Sequence, residues 1–344
     1  MATRRTDIMR QIRLSRSAVA VTELTLGTAG IGNLYTPISD ETASGAVQAA
    51  WDAGIRSFDT APHYGLGLAE RRLGEALRRH PRDEYTLSTK VGRILEPVEN
   101  PVGDDKEAGG FAVPATFRRR WDFSADGIRR SLEASLERLG HDRIDIALLH
   151  DPDDHEKQAL DEAYPALEQL RGEGVVGAIG VGMNQSAMPA RFVRETDIDV
   201  VLLAGRYTLL DQPGLDDLLP LAAERGVSVL AGGVFNSGLL ADPRPGATYN
   251  YTAAPAELVE RALRMKEVCD KYGVSLRAAA LRFPLGHPAV AGVVIGSRTA
   301  DEVRDSVRQF TTPLDAGLWD DLRSAGLLPG HVPAPGPRAA GEER

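Results

Sequence analysis

Eight short apolar runs, separated by helical patterns along most of the 344-residue chain, restrict the possible fold more than any other feature. Most of these runs are continuous in apolar residues, which is typical of parallel strands covered on both faces. Eight strand–helix repeats predict an α/β protein with a single (β/α)₈ TIM barrel rather than an open doubly wound sheet. The predicted strands span residues 24–29, 55–61, 85–91, 144–151, 175–183, 199–205, 227–233 and 290–296.

The segments between the strands have helical spacing and recognisable ends. Before the fourth strand, for example, Ser124 is a candidate N-cap and Gly140 a candidate C-terminal stop. Two connections are much longer, at residues 92–122 after strand 3 and 234–255 after strand 7. Long ordered loops are usually functional, and the loops at the carboxyl ends of barrel strands form the active-site face. We therefore expect both long loops to border the active site.

The barrel domain is predicted to span residues 16–328, between an N-terminal extension (1–15) and a flexible tail (329–344) rich in Pro, Gly and Ala. The basic N-terminus lacks the apolar segment of a secretory signal, and no stretch approaches the roughly 18 apolar residues of a membrane span. We therefore expect a cytoplasmic protein with no membrane partner.

Composition excludes several classes of protein. A hydrophobic share of 42% is ordinary for a globular chain and excludes a wholly disordered one. The net charge of −9 gives no electrostatic case for nucleic-acid binding. The single cysteine, Cys269, can form neither an intramolecular disulfide nor a cysteine-based metal cage. A small-molecule partner is expected, and the sequence predicts no particular oligomeric state.

Four polar residues follow one another at the ends of neighbouring predicted strands. Asp59 ends the second strand, Lys90 the third and His150 the fourth, while Tyr64 lies in the loop after Asp59. A structural Asp59–Lys90 salt bridge with His150 capping a loop would explain each residue alone. Convergence of all four at the mouth of the barrel predicts an active site.

The chemistry of these four residues is coherent. A lysine ammonium within about 4–6 Å of a phenol can lower its pKa by roughly 1–3 units. Lys90 would tune Tyr64, Asp59 would position Lys90, and His150 would orient a substrate oxygen. Such a site can move a proton to or from a carbonyl or alcohol oxygen. Without another electrophile, this chemistry suggests a hydride-transferring cofactor.

The sequence resembles the aldo-keto reductase family. The resemblance covers roughly residues 20–310, and it implies that Asp59, Tyr64, Lys90 and His150 are the catalytic tetrad. The matching segments, in family order, are LTLGTAGIGNLY, FDTAPHYG, STKVG, RIDIALLHDPD, GVGMNQ, RYTLLDQ and VVIGSRTADEV.

Within the family, the segments LLHDPD, RYTLLDQ and GGVFNSGLL resemble a branch of sugar and pyridoxal dehydrogenases. That branch includes D-threo-aldose 1-dehydrogenase, L-fucose dehydrogenase and pyridoxal 4-dehydrogenase. The resemblance implies NAD(P)-dependent oxidation of an aldose, or of pyridoxal through its hemiacetal, to a lactone. An NADPH-dependent general aldehyde or carbonyl reductase is the alternative, and a non-catalytic regulatory subunit is an alternative of another class.

The resemblance also implies a set of residues that bind NAD or NADP at the ends of several strands. Glu302 stands where NADP-preferring members often carry arginine, so NAD is favoured, although Arg298 could pair with a phosphate. The sequence departs from the family at Met183, Ala204 and Gly232, where serine, glutamine and a stacking tyrosine are usual. The implied cofactor residues are Gly27, Thr28, Asn184, Gly233, Phe235, Ser237, Gly296, Ser297, Arg298 and Glu302.

Other signals compete with this interpretation. The run HDPDDH (150–155) contains metal-ligand types, so a barrel metallohydrolase is a second alternative, but no metal ligand is assigned. The glycine-rich segment at 27–32 lacks the order of a dinucleotide fingerprint. His63 and Trp121 are candidates to line the substrate pocket, each with a plain structural alternative as a loop cap or loop anchor.

Overall fold

The computed structural model describes residues 9–14, 16–250 and 252–336. Within them, the eight predicted runs form a closed barrel in which every pairing is parallel and β8 pairs with β1. Each strand lies inside its predicted range, so the (β/α)₈ prediction is confirmed. The strands are β1 (Leu24–Gly27), β2 (Ser57–Asp59), β3 (Thr86–Val91), β4 (Ile144–His150), β5 (Val176–Met183), β6 (Val200–Ala204), β7 (Ser228–Gly232) and β8 (Val290–Gly296).

Helices pack around the outside of the barrel. Ser124 caps α3 by accepting a hydrogen bond from the Gly127 N–H, and Gly140 ends that helix in the left-handed conformation, as predicted. No helix of the described residues is long and apolar enough to cross a bilayer. The longer helices are α1 (Asp40–Asp52), α2 (Leu68–Leu77), α3 (Ala125–Leu139), α4 (Tyr164–Gly172), α5 (Ala187–Glu195), α6 (Leu218–Arg225), α7 (Ala256–Lys271), α8 (Leu276–Arg282), α9 (Ala300–Thr311) and α10 (Gly317–Ser324).

A small hairpin precedes β1 and closes the amino-terminal end of the barrel. Its strands are Gln11–Arg13 and Ala20–Thr22, paired antiparallel. Leu14 and Val21 are buried in one cluster with side chains from the barrel interior. The domain boundary expected between residues 15 and 16 therefore falls inside this hairpin. The hairpin belongs to the barrel domain, because Leu14 and Val21 cover apolar surface that would otherwise face water.

The barrel domain extends past the carboxyl-terminal boundary expected between residues 328 and 329. Val332 is buried against the core, so the chain beyond 328 is still packed at this point. The rest of the predicted tail (337–344) and the first part of the predicted extension (1–8) lie outside the described residues.

The long loop after β3 forms two hairpins at the carboxyl-terminal face. In the hairpin joined to β3, here called the arginine hairpin, Arg93–Pro97 pairs antiparallel with Phe117–Trp121. A second, short pairing joins Asp104–Asp105 to Phe111–Pro114. Phe111 also bridges to Leu34 in the loop after β1, so the insertion closes back over the barrel. The loop after β7 contains a smaller hairpin.

Candidate active site

The four predicted catalytic residues come together at the carboxyl ends of β2, β3 and β4. Lys90 Nζ donates to Asp59 Oδ2 at 2.7 Å, and the two side chains are only 2% and 3% exposed. Lys90 Nζ lies 5.0 Å from the centre of the Tyr64 ring. The rings of Tyr64 and His150 are 6.0 Å apart between centroids and nearly perpendicular. The four side chains therefore surround one small volume.

Ser88 completes the support of this ion pair. Its hydroxyl donates to Asp59 Oδ1 at 2.7 Å, and the Thr60 carbonyl accepts a second hydrogen bond from Lys90 Nζ at 3.0 Å. Both Asp59 oxygens are thus engaged, which fixes the carboxylate. We did not predict Ser88 from the sequence. Its position two residues before Lys90 could have indicated it, because alternate residues of a strand lie on the same face of the sheet.

A tight turn places Tyr64. Gly65 has φ +61°, and a Cβ there would lie 2.2 Å from the Gly32 carbonyl oxygen. Only glycine allows this close approach between the Tyr64 loop and the loop after β1. The turn therefore holds the backbone of Tyr64 close to the loop after β1.

Burial and charge act in opposite directions on the Tyr64 hydroxyl. Burial raises the pKa of Tyr64, while Lys90 lowers it, and the net direction is upward. Burial alone would lower the pKa of Lys90, but Asp59 and Tyr64 raise it above its usual value. The predicted effect of Lys90 has the expected sign but is outweighed by burial, so Tyr64 is a protonated phenol at neutral pH in the protein alone.

His150 is a buried, neutral imidazole. Burial, with Arg93 and Lys90 nearby, lowers its pKa well below the usual range. Its Nδ1 has no hydrogen-bond partner among the described residues. Arg93 donates to the backbone carbonyl of His150 at 3.3 Å, which ties the end of β4 to the arginine hairpin. A neutral imidazole can orient a substrate oxygen by hydrogen bonding.

Asp151 follows His150 and lies in the same pocket. Arg93 Nη2 donates to its Oδ2 at 2.5 Å, and that oxygen is 3.7 Å from His150 Nε2. Asp151 has φ +40°, which is uncommon for a residue with a side chain. The sequence analysis assigned it no role beyond the candidate metal run.

His63 lies against the site as predicted, whereas Trp121 does not. His63 Nδ1 accepts from Arg119 Nε at 2.5 Å, and Arg119 also forms a buried bidentate pair with Asp105. Trp121 is 42% exposed, and its ring lies under the Arg93 guanidinium. It is not among the described residues that line the two cavities. The indole contacts Arg93 of the hairpin, which fits the alternative of a loop anchor for Trp121.

Two adjoining cavities, of about 390 and 450 Å³, open at this face. The first contains Tyr64, Lys90 and His150, and His63 lines it as well. The second runs from Tyr64 towards the ends of β7 and β8. Their shared lining residues are Ala29, Leu34, Tyr35, Tyr64, Asn184, Leu202 and Ala204.

The second cavity has the features of a binding site for an extended polar molecule. Beside it, Thr28 Oγ1, Ser297 Oγ and the side-chain amide of Asn236 are buried without hydrogen-bond partners among the described residues. Buried polar groups are rarely left unpaired, so these atoms fit a polar ligand such as a nicotinamide dinucleotide. Of the implied cofactor residues, those lining the second cavity are Gly27, Thr28, Asn184, Gly233, Phe235, Ser237 and Gly296.

The other implied cofactor residues lie just beyond β8. Arg298 and Glu302 pair with each other, since Arg298 Nη2 donates to Glu302 Oε1 at 2.9 Å and the Arg298 backbone N–H donates to Oε2 at 2.7 Å. Thr299 Oγ1 accepts from the Glu302 N–H, so Thr299 is the N-cap of α9. The departures Met183, Ala204 and Gly232 all line the cavities.

The side chains of the candidate metal-binding run (150–155) contact different partners. Asp151 binds Arg93, Asp153 accepts from Gln185, and His155 packs against Phe123. Among the described residues, no group of three or more His, Cys, Asp or Glu side chains is arranged to hold a metal ion.

A (β/α)₈ barrel with these four polar residues at its mouth has the groups needed for proton transfer to or from a carbonyl or alcohol oxygen. The model of the Aldo/keto reductase family matches residues 23–326, and the chain belongs to that family. The prediction of this family from sequence motifs is confirmed, and the protein is an NAD(P)-dependent enzyme of the kind that acts on CH–OH or C=O groups.

Individual relatives agree with the predicted branch. The chain is 46% identical to D-threo-aldose 1-dehydrogenase of Pseudomonas sp over 91% of this chain and 96% of that protein. It is 40% identical to pyridoxal 4-dehydrogenase of Microbacterium luteolum, covering 92% and 97%. Among solved structures, the holo form of aldo-keto reductase AKR11C1 from Bacillus halodurans matches with a TM-score of 0.73 and 27% identity, covering 94% and 98%.

Proposed function

We propose that the protein oxidises an aldose, or pyridoxal through its hemiacetal, to a lactone, with NAD as the hydride acceptor. One arrangement carries the proposal: the Tyr64 ring lies beside both the buried Lys90–Asp59 pair and the neutral His150, at the wall of the first cavity. The relatives named D-threo-aldose 1-dehydrogenase and pyridoxal 4-dehydrogenase support the choice of substrate class.

The chain's own groups move the proton. In the oxidative direction, the Tyr64 phenolate accepts the proton of the substrate hydroxyl, and Lys90 stabilises the phenolate that must form first. Asp59, fixed by Ser88, keeps Lys90 in place. His150 hydrogen-bonds the same substrate oxygen. A bound nicotinamide would accept the hydride from the substrate carbon that carries this oxygen.

The Asn184 side chain and the orphaned polar atoms near β1, β7 and β8 are the groups proposed to hold the cofactor. The proposed preference for NAD rests on the Arg298–Glu302 pair. An added phosphate on the adenosine ribose would have to compete with Glu302 for Arg298. A carboxylate about 4 Å from a phosphate charge costs roughly 1 kcal/mol in water-like surroundings and about 4 near a protein surface.

The substrate test is the absorbance of reduced nicotinamide with a panel of compounds. NAD and NADP are each offered with L-fucose, D-arabinose, L-galactose or pyridoxal, and NADH and NADPH with simple aldehydes. We expect NAD to be reduced with a sugar or with pyridoxal. Consumption of NADPH with aldehydes, and no oxidation of any sugar or pyridoxal, would contradict the proposal and identify a general carbonyl reductase.

The cofactor preference is tested by Glu302→Gln. Glutamine keeps a side-chain oxygen that can accept from the Arg298 N–H but removes the negative charge, so the Arg298 guanidinium becomes available to a phosphate. We expect the ratio of kcat/KM for NAD to that for NADP to fall about tenfold. Asp301→Asn is the matched control, because Asp301 lies in the same turn and is almost fully exposed. An unchanged ratio in Glu302→Gln would show that this pair does not set the preference.

A further inference from the structure

The arginine hairpin carries two arginines that each hold a polar side chain at the first cavity. Arg93, at the start of its first strand, binds the carboxylate of Asp151. Arg119, in the returning strand, binds the imidazole of His63. Both Asp151 and His63 line the cavity that contains Tyr64 and His150, and neither belongs to the catalytic tetrad.

We propose that Asp151 and His63 form a subsite for the hydroxyl group on the carbon next to the reacting carbon of a polyhydroxylated substrate. Arg93 and Arg119 are positioning residues for this subsite. The inference rests on the proposed function, because it specifies the substrate class of the same site. It explains how an otherwise apolar barrel mouth discriminates a sugar from a simple alcohol.

Asp151 has the properties of a hydrogen-bond acceptor for this hydroxyl. Its side chain is 23% exposed and faces the cavity, while Arg93 occupies only one of its two oxygens. An ionised carboxylate has about four lone-pair sites, so it retains acceptor capacity after one hydrogen bond. Its left-handed backbone, at φ +40°, is a strained conformation of the kind that clusters at functional sites.

His63 has the properties of the matching donor. Its Nδ1 accepts from Arg119 Nε, so the proton of the neutral ring is on Nε2. Arg119 also donates to the His63 carbonyl at 3.1 Å, and its pair with Asp105 is almost fully buried, so the arginine is rigid. Burial, with Arg119 and Arg93 nearby, lowers the pKa of His63 to about 2, which keeps the ring neutral.

His150 fixes the distance between this subsite and the reacting oxygen. The rings of His63 and His150 are 5.6 Å apart between centroids, and Asp151 Oδ2 is 3.7 Å from His150 Nε2. A substrate oxygen bound to His150 therefore has both groups beside it. A neighbouring hydroxyl can donate to the Asp151 carboxylate and accept from the His63 Nε2–H, which satisfies all three partners.

The test compares D-arabinose with 2-deoxy-D-ribose, two sugars that differ only in the hydroxyl at C2. In Asp151→Asn and in His63→Phe, we expect kcat/KM for D-arabinose to fall about 10–100-fold, while that for 2-deoxy-D-ribose stays within about threefold. Asparagine also tolerates the left-handed backbone at position 151. Asp153→Asn is the matched control, since Asp153 is exposed and bonds only Gln185 among its described partners.

The positioning role of Arg119 is tested by the same comparison of the two sugars. Arg119→Met should lose discrimination between the two sugars as His63→Phe does. The double variant should discriminate between them to the same extent as His63→Phe, because both changes act on the sugar through the same histidine. Arg118→Met, next to it on the hairpin but 74% exposed, should retain wild-type discrimination. Equal losses for both sugars, or unchanged discrimination in Asp151→Asn and His63→Phe, would overturn the proposal.

A second substrate pair separates this inference from the proposed function. Glycolaldehyde and acetaldehyde differ in one hydroxyl next to the carbonyl, and their reduction does not require the protein to oxidise any sugar. Loss of the preference for glycolaldehyde in Asp151→Asn would support the subsite even if no sugar is oxidised. An unchanged preference for glycolaldehyde in the same variant would overturn the subsite even if sugars are oxidised.

Discussion

Tyr64→Phe should lower kcat by about 10²–10⁴-fold in both directions while the affinity for nicotinamide cofactor stays near that of the wild type. The substitution removes only the hydroxyl that exchanges a proton with the substrate. Phenylalanine keeps the ring beside Lys90 and His150, so the cavity retains its shape. Steady-state rates and titration of the protein's fluorescence by cofactor measure the two quantities separately.

The same hydroxyl sets the expected pH dependence. Because burial raises the pKa of Tyr64 against the opposing effect of Lys90, the phenol is protonated at neutral pH. Reduction requires this proton and should slow as the pH rises into the alkaline range, whereas oxidation requires the phenolate and should accelerate over the same range. The residual activity of Tyr64→Phe should show neither the alkaline fall in reduction nor the alkaline rise in oxidation.

The control for this variant is Tyr164→Phe, which removes a hydroxyl that bonds Glu168 on an outer helix. It should behave as the wild type. A Tyr64→Phe protein with full turnover, or a wild-type oxidation rate that is highest in acid, would contradict the assigned role.

Lys90→Met should lower the free energy of unfolding by about 3–5 kcal/mol and also abolish most turnover. The substitution leaves the Asp59 carboxylate buried without its charged partner, since both side chains are almost inaccessible to water. The double variant Asp59→Asn/Lys90→Met removes both charges. It should recover much of the lost stability while remaining as inactive as Lys90→Met, because the group that stabilises the phenolate is still missing.

Urea unfolding and steady-state kinetics distinguish these effects. Arg118→Met is a matched control for stability, because it breaks an exposed pair with Glu96 that should contribute less than about 1 kcal/mol. If the double variant is less stable than Lys90→Met, the buried pair is not the main cause of the loss.

The barrel and the tetrad were predictable because their signals are local. Most of the strands are apolar runs, and Asp59, Lys90 and His150 lie at or next to the carboxyl ends of three of them, so parallel strands bring them to one edge. The Ser124 and Gly140 ends of α3 are likewise encoded within one or two residues of the helix.

The residues that shape the substrate cavity were not predictable in the same way. Arg119 reaches His63 across 56 positions, and this contact depends on how the arginine hairpin folds rather than on any periodicity. Trp121 illustrates the same limit, because an aromatic side chain in a loop covers whichever neighbour the backbone presents, here Arg93. The net direction of the Tyr64 pKa also required the depth of burial, which sequence spacing does not carry.

The arginine hairpin has a consequence for how specificity is inherited. Arg93 and Arg119 lie on one uninterrupted segment of the chain between β3 and α3, whereas the tetrad is distributed over three strands and a turn. A connection that leaves and re-enters the barrel at neighbouring points can be exchanged between homologues without shifting the register of any barrel strand. Replacement of this single gene segment would change the arginines that hold Asp151 and His63, while Asp59, Tyr64, Lys90 and His150 would stay in place.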